Sequence, residues 1–139
     1  MSDDSVPAPG DKLPPMVIGP FDADALARYA GVSGDDNPLH LDDALAQAIG
    51  LAAPPVHGMK LLAYFEAYLA AWRPDLTIVR LGGKFVQPIL RGEPATLTGR
   101  VVRASREEGV FLRLFAQGSA RVPAIIGEAR LRFPQAPAE

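Results

Sequence analysis

The densest run of reactive side chains is Ser33-Gly34-Asp35-Asp36-Asn37-Pro38-Leu39-His40. Asp35 and His40 stand five residues apart, with Asn37-Pro38 between them. Asn caps the turn that follows and Pro occupies its first position, which fixes how His40 points back. A carboxylate and an imidazole gathered around one water share its activation and the transfer of its proton. The same residue types also build Asx-type turns, in which Asp35, Asp36 and Asn37 only shape the chain and His40 is a solvated residue at a helix start. Spacing leaves both readings open.

His57-Gly58 is the second feature. It opens a long apolar helical pattern, where unpaired N–H groups and the helix dipole favour negative charge. Gly58 has no side chain to keep a carbonyl from its amide, so an oxyanion could be held there during acyl or enolate chemistry. A glycine kept small for helix–sheet packing is the plainer reading, and the two are compatible. His40, His57, Asp35 and Asp42 are all able to ligate a metal, but two histidines seventeen apart carry no paired-ligand spacing. No metal is expected. Ser33 lies in no G-x-S-x-G elbow, and there is no P-loop or dinucleotide fingerprint. Arg80, Lys84, Arg91 and Arg103 read as a solvated strand face.

These groups need elements to position them. Met16-Val17-Ile18-Gly19 predicts a short edge strand ended by Pro20. Asp22 predicts an N-cap, with Phe21 and Leu26 at staple spacing and Ala23, Leu26, Tyr29 and Ala30 on one face of a helix ending near Gly31. Asp42 to Ile49 reads as a second short helix. After His57, the residues Leu61, Leu62, Phe65, Tyr68, Leu69 and Trp72 recur at helical spacing, and Ala63, Ala67, Ala70 and Ala71 fill much of the rest. That helix is expected to be enclosed and to end before Pro74. From Thr77 the period becomes two, predicting strands over 77–90, 95–106, 110–119 and 124–133. The whole is α+β: a single antiparallel sheet wrapped around a long central helix.

A length of 139 residues with 48% apolar and 22% charged side chains is that of one ordinary domain with one core. Residues 1–15 read as a polar, proline-rich flexible tail, 16–134 as the domain and 135–139 as a C-terminal tail. With 14 basic and 16 acidic side chains and no basic run, a dedicated nucleic-acid binder is not expected. The chain has no cysteine, which excludes disulfides, thiolate nucleophiles and cysteine-ligated clusters. Met1-Ser2-Asp3-Asp4 offers no secretory pattern. The longest uncharged run, Ala44 to Met59, is broken by Gly50, Pro54 and Pro55, so no membrane span and a cytoplasmic location are expected.

The run Tyr29-Ala30-Gly31-Val32-Ser33-Gly34-Asp35-Asp36-Asn37-Pro38-Leu39-His40 resembles the hydratase-2 motif of the MaoC-like, (R)-specific enoyl-CoA hydratases. The likeness continues through Val56-His57-Gly58-Met59, then Phe85-x-x-Pro88-Ile89-x-x-Gly92-Glu93, and Gly127-Glu128-Ala129. It implies a hotdog fold that dimerises by extending its sheet, with the acyl-thioester site near the interface. It implies Asp35 and His40 as the catalytic pair, hydrating a trans-2-enoyl-CoA to the (R)-3-hydroxyacyl-CoA or running the reverse dehydration. Asn37, with Ser33 and Gly34, orients the pair. The Gly58 amide polarises the thioester carbonyl, and His57 and Met59 stand near the pocket. No cofactor is implied, the CoA thioester being the substrate; the partners are that acyl-CoA (or an acyl carrier) and a second copy of the chain, or more.

Two features depart from the family pattern. Lys60 stands where an apolar residue is usual, and its charge must find solvent, a partner subunit or a ligand. Asp36 adds a second negative charge beside Asp35 and is expected to face water. Alternative readings are a dehydratase for a branched, dicarboxylic or carrier-protein-bound thioester, and a non-catalytic acyl-CoA-binding hotdog subunit.

Overall fold

A computed structural model describes residues 5–135, so the expected tail positions 1–4 and 136–139 lie outside the described residues. In chain order the elements are β1 (Lys12–Ile18), α1 (Ala23–Ser33), a 3-10 turn (Pro38–His40), α2 (Asp43–Ala48), α3 (Gly58–Trp72), β2 (Thr77–Phe85), β3 (Ala95–Ser105), β4 (Gly109–Gln117) and β5 (Ile125–Arg132). The strands form one antiparallel sheet in the order β1-β3-β4-β5-β2. The inward faces of β3, β4 and β5 bury Leu97, Val101, Val110, Leu112, Leu114, Ala116, Ile125, Ala129 and Leu131. Leu61, Leu62, Phe65, Tyr68 and Leu69 of α3 pack onto them in a single core, the arrangement expected from the sequence.

The chain entering β1 differs from expectation. The strand opens at Lys12, four residues before Met16, so 1–15 is not one tail. Gly10 N–H donates to the Val101 carbonyl and Val101 N–H to the Asp11 carbonyl, each at 2.8 Å. Pro14 and Pro15 hide this strand from a propensity reading because neither carries an N–H for the ladder. The register shifts between Leu13 and Met16, so both prolines sit in an irregularity on an edge strand.

The second difference concerns α3. Its core face is buried, but Met59, Ala63, Glu66, Ala67, Ala70 and Ala71 are exposed, so the helix is not enclosed all round. One curled five-stranded sheet covers one side of a helix, and alanine methyls left in water forfeit little apolar burial. The remaining strand expectations hold to within a few residues, except β2, which ends at Phe85 instead of 90.

Among the described residues no helix is long and apolar enough to cross a membrane.

Candidate active site

The polar loop is built by the end of α1. Asp22 caps the helix start, its Oδ1 accepting from Ala25 N–H at 2.8 Å. At the other end Gly34 adopts φ +80° and returns its N–H to the Ala30 carbonyl at 3.0 Å, the left-handed cap that glycine adopts without strain. The helix therefore runs to Ser33, past the expected end at Gly31. Ser33 Oγ donates to the Tyr29 carbonyl at 2.7 Å and accepts from Asp35 N–H at 3.1 Å. Asn37 Oδ1 accepts from Leu39 N–H at 3.1 Å, and Pro38 opens the 3-10 turn that ends on His40. Ser33, Gly34 and Asn37 thus shape the loop through its backbone, without touching the His40 ring. Asp36 is exposed, as expected.

His40 Nδ1 lies 2.8 Å from the Pro55 carbonyl. A carbonyl only accepts, so Nδ1 carries the proton and Nε2 of the neutral ring keeps its lone pair. That Nε2 is 3.8 Å from Asp35 Oδ2. The gap is longer than a direct hydrogen bond and short enough for one water to bond both atoms. The Asp35 side chain is about half exposed, so it is open to solvent, whereas His40 is mostly covered.

His57 is fully buried. Its Nε2–H donates to the Asp35 carbonyl at 3.0 Å, and its ring stacks on His40 with centroids 4.0 Å apart and 24° between planes. The Tyr29 ring is tilted against it, with centroids 4.7 Å apart. Burial lowers the His57 pKa below the ordinary imidazole value; the nearby His40 and Lys60 push the same way, against the Asp35 carbonyl and carboxylate. His57 is therefore a neutral clamp behind the loop, and its Nδ1 is buried without a partner. It does not line the cleft.

Met59 does. A cleft of about 450 Å³ is lined by Asp35, Gly58, Met59, Leu61, Phe85 and Ile125, among others, so Asp35 and the first residue of α3 share one space. The start of α3 is fixed from behind: Val56 N–H donates to the Ile89 carbonyl and Arg91 N–H to the Pro54 carbonyl, each at 2.8 Å. The Arg91 guanidinium also grips Asp43 of α2 through two hydrogen bonds. Lys60 points away from the cleft, with Nζ 5.5–5.6 Å from the ring centroids of Phe21, Tyr29 and Tyr64. Three aromatic faces thus receive the charge that the sequence left without a place.

Asp35, His40 and His57 offer ligand atoms within 4.8 Å of one another, a spacing that could hold a metal ion. His57 Nε2, however, donates to the Asp35 carbonyl, which leaves only its buried Nδ1 to offer an ion. A larger depression of about 570 Å³ lies on the sheet and contains none of these residues. It is lined by Arg80, Arg103, Phe111, Arg113, Glu128 and Arg130 among others. There Arg103 stacks on Phe111 at 3.7 Å and Arg80 pairs with Glu128 at 3.5 Å, as befits a solvated strand face.

Of the expected site residues, Asp35, Gly58 and Met59 line the cleft and His40 stands beside Asp35, while the His57 clamp and the cleft wall from Phe85 and Ile125 were not foreseen. Phe85 stood in the quoted motif with no role attached. The bond from His57 to Asp35 spans 22 residues and leaves no local signal.

Residues 5–111 match the model of the MaoC like domain. The chain is 34% identical over 119 residues to an (R)-specific enoyl-CoA hydratase of Aeromonas caviae, covering 82% of this chain and 87% of that one. The solved (R)-hydratase of that organism superposes with a TM-score of 0.80 at 27% identity over 90% of this chain and 96% of that one. An unliganded R-hydratase of Pseudomonas aeruginosa gives 0.80 at 25% identity, over 92% and 83%. A long helix packed on a curled antiparallel sheet and these likenesses lead to one conclusion: the chain belongs to the MaoC-like domain family.

Proposed function

We propose that this protein is a hydro-lyase that hydrates trans-2-enoyl-CoA to (R)-3-hydroxyacyl-CoA, or dehydrates it in reverse. The observation that carries this reading is the approach of Asp35 Oδ2 and His40 Nε2 to 3.8 Å, with Asp35 on the wall of the cleft that reaches Gly58. In the hydration direction a water bonded to both groups adds its oxygen to C3 of the enoyl chain. The His40–Asp35 pair takes one of its protons and a proton is returned to C2, so H and OH are added and nothing else is consumed. As C3 is attacked, negative charge moves to the thioester oxygen, where the Gly58 N–H at the start of α3 stabilises it. The (R) outcome follows if water is held on a single face of the bound chain. Acid–base chemistry of this kind calls for no resident metal or redox cofactor; the CoA thioester is the substrate.

The protein acts as a homodimer in this reading. β2 is a sheet edge, exposed along most of its length, and an open edge is a template for pairing with a second copy. The enzyme works in the cytoplasm, where acyl-CoA is found.

The test is hydration of crotonyl-CoA, followed as loss of enoyl absorbance, with Asp35→Asn in parallel and the product's configuration determined. Turnover by the wild type alone, giving the (R) alcohol, is expected. Equal turnover by Asp35→Asn would remove that carboxylate from the mechanism. Silence of the wild type across short, long and branched enoyl thioesters, with ligand still bound, would leave a binding subunit instead.

A further inference from the structure

Gly58 is unusually crowded for a residue at the edge of a cleft. A Cβ built on it would lie 2.9 Å from Cε1, 3.0 Å from Cδ1 and 3.2 Å from Cζ of Phe85. The Phe85 ring therefore rests against the Cα of the first residue of α3, which lines the cleft. Phe85 is the last residue of β2, paired in register with the fully buried Ile125, so its backbone is fixed by the sheet. The residue is nonetheless 50% exposed, and it lines the cleft with Asp35 and Met59. An accessible aromatic side chain is thus left beside the proposed site.

We propose that Phe85 sets substrate specificity at C2 of the acyl chain, admitting enoyl thioesters with hydrogen there and rejecting those with a methyl branch. This rests on the reaction proposed above. A thioester whose carbonyl oxygen accepts from Gly58 N–H has its C1 one bond from that oxygen and C2 one bond further. These atoms lie within a few ångströms of Gly58, where the Phe85 ring already fills the space on one side. A C2 hydrogen fits beside the ring, and a methyl must displace it. Phe85 cannot retreat into the core, because Gly83, two residues back, is itself closed in by Ile125 and Leu62, its Cβ direction meeting them at 3.1 and 3.2 Å. An apolar pocket discriminates one methyl by about tenfold or more in kcat/KM.

The experiment compares crotonyl-CoA with (E)-2-methylbut-2-enoyl-CoA for the wild type, Phe85→Leu and Phe85→Ala, with a thermal melt of each. The quantity read is the ratio of kcat/KM for the two substrates, which cancels any loss common to both. The wild type should favour crotonyl-CoA by about tenfold or more. Phe85→Ala should cut that preference by about the same factor, with Phe85→Leu between them. A wild type that takes both substrates equally overturns the proposal. So does a ratio that stays within about twofold of the wild-type value in a variant that melts as a folded protein. A wild type that turns over crotonyl-CoA while the ratio refuses to move leaves the reaction standing and removes Phe85 alone. A wild type inactive on crotonyl-CoA and on every longer or branched enoyl thioester overturns both.

Discussion

The imidazole of His57 donates from Nε2 to the backbone carbonyl of Asp35 at 3.0 Å, tying the start of the long helix to the loop that carries the proposed catalytic carboxylate. The bond needs a neutral ring with its proton on Nε2, and burial keeps the ring neutral. A histidine whose folded pKa lies below its unfolded value of about 6.5 contributes stability that is fully present above that pH and is lost as pH falls toward the folded pKa. The melting temperature should therefore decline from pH 7 to pH 5. His57→Gln, which keeps an N–H donor but takes no proton, should show a shallower decline. Parallel pH profiles of the two would refute the clamp as a titrating element.

Asp35 and His40 should behave as one unit, since their side chains meet at 3.8 Å around the proposed water. Asp35→Asn and His40→Ala should each lower kcat by about 10²- to 10⁴-fold, the usual range for a lost acid–base group. The double variant should be hardly slower than the worse single one. Multiplying losses in steady-state kinetics would mean that the two act on separate steps.

Gly58→Ala brings a methyl to 2.9 Å from the edge of the Phe85 ring. Phe85 is half exposed and its ring able to swing, so the melting temperature should change little. Turnover should fall sharply, because the ring moves into the cleft and the methyl covers the amide. A variant that melts like the wild type and retains its kcat/KM would remove Gly58 from the carbonyl-binding role.

Tyr68 is a stability test far from the chemistry. Its hydroxyl is buried against the core without a hydrogen-bond partner, and burial pushes its pKa up to about 12. An unmet buried hydroxyl costs about 1 kcal/mol or more, so Tyr68→Phe should raise the melting temperature or leave it unchanged. A clear loss of stability would point to a partner for the hydroxyl, such as an ordered water.

Glu93 holds the turn before β3 to the loop after β4. Its carboxylate accepts from Leu90 N–H at 3.0 Å, from Ser119 Oγ at 2.6 Å and from Ser119 N–H. Burial alone would raise its pKa, but these bonds outweigh it and hold the carboxyl below its ordinary value. With a depressed folded pKa, its contribution is present above the unfolded value and disappears as pH falls through the folded one. Glu93→Gln should cost about 1.5–3 kcal/mol at neutral pH, measured by urea unfolding, and progressively less as pH falls below the unfolded value of about 4.3. A cost that does not depend on pH would mean that shape matters there and charge does not.

Local order was legible wherever it depends on neighbours in the chain. The Asp22 cap, the short helix after Asp42, the Ser33–His40 loop, the helix opening at Gly58 and the two-residue period after Thr77 are all set by residues within a few positions of each other. Capping bonds, turn preferences and side-chain alternation act at that range. What escaped was set by chain segments far apart. Pro14 and Pro15 argued against a strand, yet β3 supplied a partner and a register shift absorbed them. The apolar circumference of α3 predicted an enclosed helix, and only the curl of the sheet decided that Ala63, Ala67 and Ala70 would stay in water.

For the site the division is the same. The sequence by itself determined which groups are present and how each loop residue caps or turns the backbone, because those interactions close within one or two turns. Only the tertiary structure decided that His40 Nδ1–H donates to the Pro55 carbonyl, that His57 reaches back to Asp35, and that Phe85 from β2 lies on Gly58. Each of these contacts joins residues fifteen or more positions apart, where loop closure is paid for by core packing and no local pattern records the partner.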